Sequence, residues 1–332
     1  MSLATLAWHW RALIAVAMAA AGSAADSASA TERINATAED DTLDAMAAFA
    51  ADVGCSSDSD ADTDEGGGSA SLQGGAGGAA AAHRYKHPVR EFVFDGLPPG
   101  LRLIQRYVAV AETGGAVYDA GVVLSRWICA HPSTVQRRPV LELGCGPGLT
   151  ALVASGLGAA EVLATDMDSS ALVLARENVA QHASWLALCA ATSAKGSAAA
   201  PTLAQCRWGG QLPPALQSWR ERNAERGAVV LGADVLYDND ESFAALLHTL
   251  SSLLRPPSAS ARSTECEPTC MSCLLCFPRR RAEAEQRYLS ALRTVFSLEE
   301  QDVTGMSVGC DREMALIILR PPAGGSPSLS LR

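Results

Sequence analysis

Three alternate glycines, Gly144, Gly146 and Gly148, directly follow the apolar segment 139–143 and place the strongest constraint on the fold. The apolar segment predicts a buried parallel strand, and the residues after Gly148 are apolar at helical spacing. Glycine has no Cβ, so it permits a tight turn and lets a ligand touch the main chain. The sequence therefore predicts a strand, a glycine turn and a helix that together hold a small polar ligand.

The spacing of these glycines narrows the class of ligand. It is G-x-G-x-G, whereas the dinucleotide-binding fingerprint is G-x-G-x-x-G, which argues against a nicotinamide dehydrogenase. Glu142 stands two residues before the first glycine. We interpret Glu142 as part of the ligand site, with a hydrogen-bonded acid at a strand end as the alternative.

Apolar segments alternate with helical patterns from residue 117 to residue 320. Strands are expected at 139–143, 161–165, 203–207, 228–232, 273–277, 297–303 and 314–320. Helices are expected at 117–130, 148–157, 169–182, 240–254 and 280–295. This alternation predicts an α/β fold with a doubly wound, seven-stranded, mostly parallel sheet. An edge hairpin is expected over 93–105, and surface insertions at 189–202 and 257–269.

The composition changes sharply along the 332 residues. Residues 22–84 are rich in Ala, Ser, Gly and Asp and cannot bury enough apolar surface to order themselves. We therefore expect a disordered, acidic region at 1–84, a folded domain at 85–322 and a disordered tail at 323–332. The apolar segment 12–21 is a possible targeting leader or a disordered alanine-rich stretch.

Charge gives little support for nucleic acid as a partner. The net charge is −10, but residues 1–65 hold 12 acids and 2 bases, and the remaining 24 acids and 24 bases cancel. The folded part therefore has no basic footprint. No stretch is a convincing membrane span. The expected compartment is the cytoplasm or nucleus, or an organelle if residues 1–25 are a transit segment.

Ten cysteines are scattered along the chain, as in a reduced protein that uses cysteine as a small apolar side chain. Cys266, Cys270, Cys273 and Cys276 have spacings that suggest a zinc site. However, Cys273 and Cys276 fall on an expected strand three residues apart, and a strand directs such side chains to opposite faces. We therefore expect no metal.

Further candidate ligands fall where the expected strands end, which is the edge at which open α/β sheets bind ligands. Asp166 ends the second strand and could accept hydrogen bonds from ribose hydroxyls. Trp208 follows the third strand, as a ligand contact or a core aromatic. Asp234 and Tyr237 follow the fourth, where Asp234 could instead cap the next helix and Tyr237 could be packing.

Together these segments resemble the seven-β-strand methyltransferases that use S-adenosylmethionine, and within them the protein-lysine methyltransferases of methyltransferase-like family 16. The resemblance covers roughly residues 90–321. It is carried by residues 114–120, 140–148, 163–166, 177–179, 207–209 and 231–238. The Asp-x-x-Tyr at 234–237 and the Trp-Gly at 208–209 are the specific parts, since the glycine turn alone fits any methyltransferase.

The resemblance implies an N-methyltransferase that transfers a methyl group from S-adenosylmethionine to a lysine of another protein. Its implied donor contacts are Tyr118, Gly144, Cys145, Gly146, Asp166, Trp208 and Ala233. Asp234 and Tyr237 are implied at the entrance for the acceptor. The family usually has Trp where this chain has Tyr118, which loses the indole donor. The expected partner is a protein substrate, without nucleic acid or membrane, and the expected state is a monomer. A small-molecule amine acceptor and a non-catalytic binding module remain the alternatives.

Overall fold

The computed structural model describes residues 84–107, 113–192, 198–236, 239–255, 271–279 and 282–322. The chain divides into two units, Met1–Leu72 and Gln73–Arg332, and all described residues belong to the second. The expectations for the leader, the C-terminal tail, the 257–269 insertion and Tyr237 lie outside the described residues.

Nine strands and seven α-helices make up the described part of the second unit. The strands are β1 (Val89–Phe92), β2 (Leu101–Ile104), β3 (Pro139–Leu143), β4 (Glu161–Asp166), β5 (Thr202–Gln205), β6 (Val229–Ala233), β7 (Ser272–Pro278), β8 (Ser297–Gln301) and β9 (Met314–Arg320). The helices are α1 (Asp119–Ala130), α2 (Leu149–Gly156), α3 (Ser169–Gln181), α4 (Ala183–Thr192), α5 (Pro214–Asn223), α6 (Asp240–Leu254) and α7 (Ala282–Val295). Among these helices, none combines the length and apolar character needed to cross a bilayer.

Seven strands form one sheet in the order β5-β4-β3-β6-β7-β9-β8. Strands β3 to β7 pair in parallel, and β9 runs antiparallel between β7 and β8. All five residues of β3 are buried, as expected for a central strand covered on both faces. The predicted seven-stranded, mostly parallel α/β fold is therefore confirmed.

The two faces of the sheet carry separate apolar cores, and β7 shows how its side chains divide between them. Cys273 packs in the core with Val230 and Leu275, whereas Cys276 packs in the opposite core with Leu274. Both thiols are free and buried, and burial raises the pKa of each. The alternation of side chains along a strand thus keeps the two sulfur atoms on different faces.

The hairpin differs from its expected position. Its strands β1 and β2 pair antiparallel as a separate two-stranded sheet, with Val89 opposite Ile104, so the first strand lies before residue 93. The connection at 93–100 has glycines with positive φ at its turns, and the indole of Trp185 donates to the Pro98 carbonyl at 2.9 Å. This bond attaches the hairpin to α4.

Two helices were not expected from the sequence. Helix α4 occupies 183–192, part of which was interpreted as a surface insertion, and it buries Trp185, Leu186 and Cys189. Their helical spacing was concealed by the surrounding alanines and serines. Helix α5 begins at Pro214, buries Leu216 and Trp219, and is otherwise polar, so its apolar face is only two residues wide. It lies in a segment to which no element had been assigned.

One buried amide joins the hairpin, α3 and the glycine turn. Asn178 on α3 is fully buried; its Oδ1 accepts from the Ile104 amide at 2.8 Å. Its Nδ2 donates to the Ile104 carbonyl at 3.1 Å and to the Pro147 carbonyl at 3.0 Å. Since buried backbone groups are costly to leave unpaired, Asn178 stabilises both the end of β2 and the turn between β3 and α2.

We expect Asn178→Ala to lower the free energy of unfolding by about 2–4 kcal/mol, because one buried and two part-buried hydrogen bonds are lost and their backbone partners stay unpaired. The adjacent Glu177 forms an ion pair with Arg106 at 2.5 Å, and both side chains are more than one third exposed. Glu177→Ala is the control and should cost at most about 1 kcal/mol. Urea unfolding of both variants measures the difference; equal losses would contradict the role of Asn178.

Candidate active site

The carboxyl ends of β3, β4 and β6 meet at one edge of the sheet. The chain leaves β3 towards β4 on one side, while β6 pairs with β3 on the other, so the strand order reverses beside β3. Open α/β sheets bind ligands at such a switch point. The structure places Glu142, Asp166 and Asp234 along this edge, as the sequence predicted.

The glycine turn adopts a conformation that other residues rarely adopt. Gly144, Gly146 and Gly148 have φ angles of +68°, +49° and +89°. A Cβ on Gly144 would lie 3.0 Å from Val235 Cγ1, and one on Gly146 would lie 3.4 Å from the Gly114 carbonyl oxygen. Both the backbone angles and the available space therefore require glycine in the turn.

Strand β4 fixes the turn through backbone hydrogen bonds. The Cys145 amide donates to the Thr165 carbonyl at 2.9 Å, and the Gly146 amide donates to Asp166 Oδ2 at 3.0 Å. Asp166 Oδ1 accepts from the Asp168 amide at 3.0 Å. Each carboxylate oxygen keeps lone-pair capacity for a hydroxyl donor. Burial raises the pKa of Asp166, while these amide bonds oppose the rise.

Glu142 is the most unusual acid of the site. Its side chain is only 2% exposed, and burial raises its pKa to about 8. The negative charge of nearby Asp166 also raises the pKa, whereas hydrogen bonds from the Thr150 hydroxyl and the Ala151 amide lower it. Within the described part of the chain, Glu142 Oε2 has no hydrogen-bond partner. A buried carboxyl oxygen of this kind is suited to a polar ligand group, since leaving it unpaired is costly.

The thiol of Cys145 donates a weak hydrogen bond to the carbonyl of Gly146, with the sulfur and oxygen atoms 3.8 Å apart. The side chain is buried in the apolar core with Leu149 and Val153, and burial raises the pKa of its thiol well above the ordinary value.

The segment before α1 lies against the glycine turn. The carbonyl oxygens of Gly114 and Ala116 are 3.4 and 3.8 Å from the position of a Cβ on Gly146. Gly114 itself has no room for a Cβ, which would lie 2.7 Å from the Cβ of Ala171 on α3. Tyr118 follows at the N-cap of α1 and is half-buried. The predicted Tyr118 therefore stands beside the turn.

Trp208 packs against one of the two apolar cores and also lies close to the glycine turn. It is half-buried, and its Cζ2 atom is 3.7 Å from the position of a Cβ on Gly144. The next residue, Gly209, has a φ of +89° and donates its amide to the Thr249 hydroxyl at 3.0 Å. This bond to α6 places Trp208 next to the turn.

Asp234 follows β6 in a left-handed conformation, with a φ of +56° that is uncommon for a residue other than glycine. Its amide donates to the Cys276 carbonyl at 2.8 Å, which fixes the backbone. Ala233 precedes it and lies 3.9 Å from the position of a Cβ on Gly121 of α1. The end of β6 therefore adjoins the first turn of α1.

The alternative that Asp234 caps the next helix is wrong. Asn239 is the N-cap of α6, and its Oδ1 accepts from the amides of Glu241 at 2.9 Å and Ser242 at 3.0 Å. Asp234 stands five residues earlier, outside the helix. The structure does not describe Tyr237.

Several residues that shape the site had no assigned role. Thr150 contacts Glu142, and Gly114 packs against α3. In the segment before α1, Gln105 bonds to Val117 and Tyr85 packs on Tyr118. Asn178 belonged to a segment that carried the family resemblance, without any function given to it. Their signal was weak because each acts through one tertiary contact, which leaves no periodicity in the sequence.

Within the described residues, no three histidine, cysteine, aspartate or glutamate side chains lie close enough together to bind a metal ion. Cys266 and Cys270 lie outside them, and Cys273 and Cys276 belong to opposite cores. Asp166 and Glu142 are engaged by backbone and hydroxyl groups. The chemistry of this edge suits an organic ligand that carries hydroxyl and ammonium groups.

The sequence of the chain is similar to those of known lysine methyltransferases. The family model described as lysine methyltransferase matches residues 99–295. Protein N-lysine methyltransferase METTL21A of Danio rerio is 31% identical over 187 residues, which are 55% of this chain and 69% of the relative. Human protein-lysine N-methyltransferase EEF2KMT is 31% identical over 131 residues, 39% of this chain and 37% of the relative. A TehB-like methyltransferase structure from Corynebacterium glutamicum has 13% identity, a TM-score of 0.39, and coverage of 65% and 95% of the two chains.

The raised pKa of Glu142 predicts a pH dependence of stability. The folded state holds a proton up to pH about 8, whereas the unfolded chain releases it near the ordinary value of 4.5. The free energy of unfolding should therefore fall as pH rises between these values, by at most about 1.4 kcal/mol per pH unit, and level off above.

Urea unfolding of the wild type and Glu142→Gln at several pH values measures this effect. Glutamine has a similar shape and does not titrate, so the variant should lose this part of the slope and keep the part due to Asp166, whose pKa is also raised by burial. Identical slopes in both proteins would contradict the raised pKa of Glu142.

Proposed function

Because the chain belongs to the lysine methyltransferase family, we propose that this sheet edge transfers a methyl group from S-adenosylmethionine to the ε-amine of a lysine on another protein. The observation that carries the proposal is the glycine turn with its bonded Asp166, beside the orphaned oxygen of Glu142. The zebrafish relative, a protein N-lysine methyltransferase covered over 69% of its length, supports the acceptor class.

The residues present fit the donor. The left-handed glycines leave the main chain open to close approach. Asp166 accepts hydrogen bonds from the ribose hydroxyls with its remaining lone pairs, as acids at this strand end do. Glu142 Oε2 is buried and has no hydrogen-bond partner among the described residues, so it would accept from the ammonium group of the amino-acid part. The positive charge of that group would lower the pKa of Glu142 and favour its carboxylate form. The half-buried Trp208 and Tyr118 supply apolar surface at the rim.

Bound S-adenosylmethionine supplies an electrophilic methyl group on a sulfonium sulfur. The neutral lysine nitrogen would take this methyl group, the sulfur would keep the electron pair of the broken bond, and the methylated nitrogen would release one proton to solvent. The work of the protein is to align the amine and to exclude water. The amine must also be neutral, which partial burial favours because desolvation lowers the pKa of an ammonium group.

We assign the orientation of the amine to Asp234, and the resemblance to the family implies Tyr237 as a second residue that acts on the acceptor. A left-handed backbone, as at Asp234, costs about 1–2 kcal/mol for most residues and less for aspartate, and such conformations cluster at functional sites. Val235, the next residue, lies against the glycine turn. The acceptor end of β6 and the donor turn of β3 are therefore adjacent.

We also propose the acceptor class, the oligomeric state and the compartment of the enzyme. The balance of acids and bases after residue 65 favours a protein acceptor over nucleic acid. We propose that the enzyme acts as a monomer in the cytoplasm or nucleus, or in an organelle if residues 1–25 are a transit segment.

Asp166→Ala should weaken donor binding by about 1.5–3 kcal/mol, the scale of a charged hydrogen bond. Calorimetry with S-adenosylhomocysteine and with its 2′,3′-dideoxy analogue isolates the ribose contact. The affinity gap between these ligands should be wide in the wild type and narrow in the variant.

The control is Asp168→Ala, because Asp168 caps α3 by accepting from the Ser170 amide at 2.7 Å. Loss of this cap should cost about 1 kcal/mol of stability and leave the affinity gap unchanged. An unchanged gap in Asp166→Ala would refute the ribose assignment.

Asp234→Asn should reduce methyl transfer at least about tenfold, or about 1.4 kcal/mol, with donor affinity unchanged. Asparagine tolerates the left-handed backbone and keeps the shape of the side chain, so stability should stay close to that of the wild type. Asp234→Gly removes the strain together with the carboxylate, and should therefore be more stable yet equally inactive.

Both variants are assayed with labelled donor on cell lysate, followed by mass spectrometry of lysine methylation. Wild-type methylation by either variant would show that the carboxylate of Asp234 is not needed for transfer. Loss of donor binding would instead place Asp234 on the donor side.

A further inference from the structure

An aromatic pair stands beside the start of α1 and includes a residue that lies outside the matched family region. The rings of Tyr85 and Tyr118 have centroids 5.4 Å apart and are tilted by 37°. Tyr85 belongs to residues 84–88, which precede β1 and which we call the N-terminal strap. Aromatic pairs at this separation attract each other beyond their simple burial.

One buried side chain holds the backbone on both sides of this pair. Gln105 is only 3% exposed, and its Nε2 donates to the carbonyls of Arg84 at 3.1 Å and His87 at 2.8 Å, which flank Tyr85. Its Oε1 accepts from the Val117 amide at 2.8 Å, next to Tyr118. Gln105 therefore determines how far apart the two tyrosines are.

Two arginines reinforce the contact. Arg90 on β1 donates to the Val117 carbonyl at 2.6 Å. Together, Arg90 and Gln105 therefore bond both polar backbone groups of Val117. Arg84 donates to the Gly309 carbonyl at 2.6 Å and pairs with Asp119 and Asp311, each at 2.7 Å. Its guanidinium also lies 5.2 Å from the Tyr85 ring centroid.

The position of Tyr118 matters to both parts of the site. Two residues before it, the Ala116 carbonyl lies near Gly146 of the donor turn. Three residues after it, Gly121 packs against Ala233, which precedes Asp234. A displacement of Tyr118 would therefore shift both the contact with the donor turn at Gly146 and the contact with Ala233 next to Asp234.

We propose that Tyr85 is a positioning residue for methyl transfer: held by Gln105, it packs on the Tyr118 ring and fixes that ring beside the donor. This inference rests on the proposed function. It extends the working site to the N-terminal strap, which lies before residue 99, where the family match begins. Tyr85 adds a second aromatic ring to the surface that Tyr118 presents beside the glycine turn.

The test uses the full chain and compares Tyr85→Ala with Tyr85→Phe. Phenylalanine keeps the ring and should bind donor and turn over like the wild type. Alanine removes the ring and should raise the donor Kd and KM about three- to tenfold, the range of an aromatic pair. Calorimetry and steady-state kinetics with varied donor measure both constants.

A size exchange separates positioning from simple stability. Tyr118→Trp in the Tyr85→Ala background fills the vacated space, and should restore most of the donor affinity. His131→Ala is the matched control, since it removes a ring stacked on Trp127 at 4.2 Å at the far end of the same helix. That control should lower the melting temperature and leave donor affinity unchanged.

An unchanged donor Kd and KM in Tyr85→Ala would overturn the inference, as would a failure of Tyr118→Trp to restore affinity. If Tyr85→Ala does not fold, Tyr85→Leu keeps apolar bulk without the ring, and its donor Kd decides in the same way. A wild-type chain that binds no donor would instead refute the proposed function. Wild-type binding that Asp166→Ala weakens and Tyr85→Ala does not would refute only the role of Tyr85.

Discussion

The hydrogen bond from the Gly146 amide to the Asp166 carboxylate is the contact on which the site depends. It joins the turn after β3 to the end of β4, so the two parallel strands present their carboxyl ends in one fixed arrangement. The turn can approach Asp166 because its glycines adopt left-handed angles without a steric penalty. The same absence of Cβ atoms leaves main chain exposed for the donor. The absence of Cβ atoms in the turn thus allows both its folded conformation and the close approach of the donor.

Supports from three directions converge on this contact. Asn178 holds the Pro147 carbonyl from α3, and Val235 packs against Gly144 from the end of β6. The segment before α1 packs against α3 and places the Gly114 and Ala116 carbonyl groups next to Gly146. Because each support comes from a different element, the donor site forms only when the whole sheet edge is assembled. The strained Asp234 lies on one of these supports, which brings the proposed acceptor group next to the donor.

The central strands and the glycine turn could be predicted because their signals are local. Strand β3 has the predicted bounds. Helix α5 and most of α4 were missed, since their apolar faces consist of two or three residues among polar or alanine-rich neighbours. The strain at Asp234 and the hydrogen bonds of Gln105 could not be predicted, because they depend on residues far apart in the sequence.

Hydrogen–deuterium exchange of the full chain, with and without S-adenosylmethionine, tests the donor site most directly. The account predicts that the donor slows amide exchange in 114–118, 142–150 and 166–168, and leaves α7 unchanged. These amides belong to the turn, to Asp166 and to the segment that covers them. Donor binding proved by calorimetry without protection of 142–150 would contradict the account, because the donor would then lie elsewhere on the molecule.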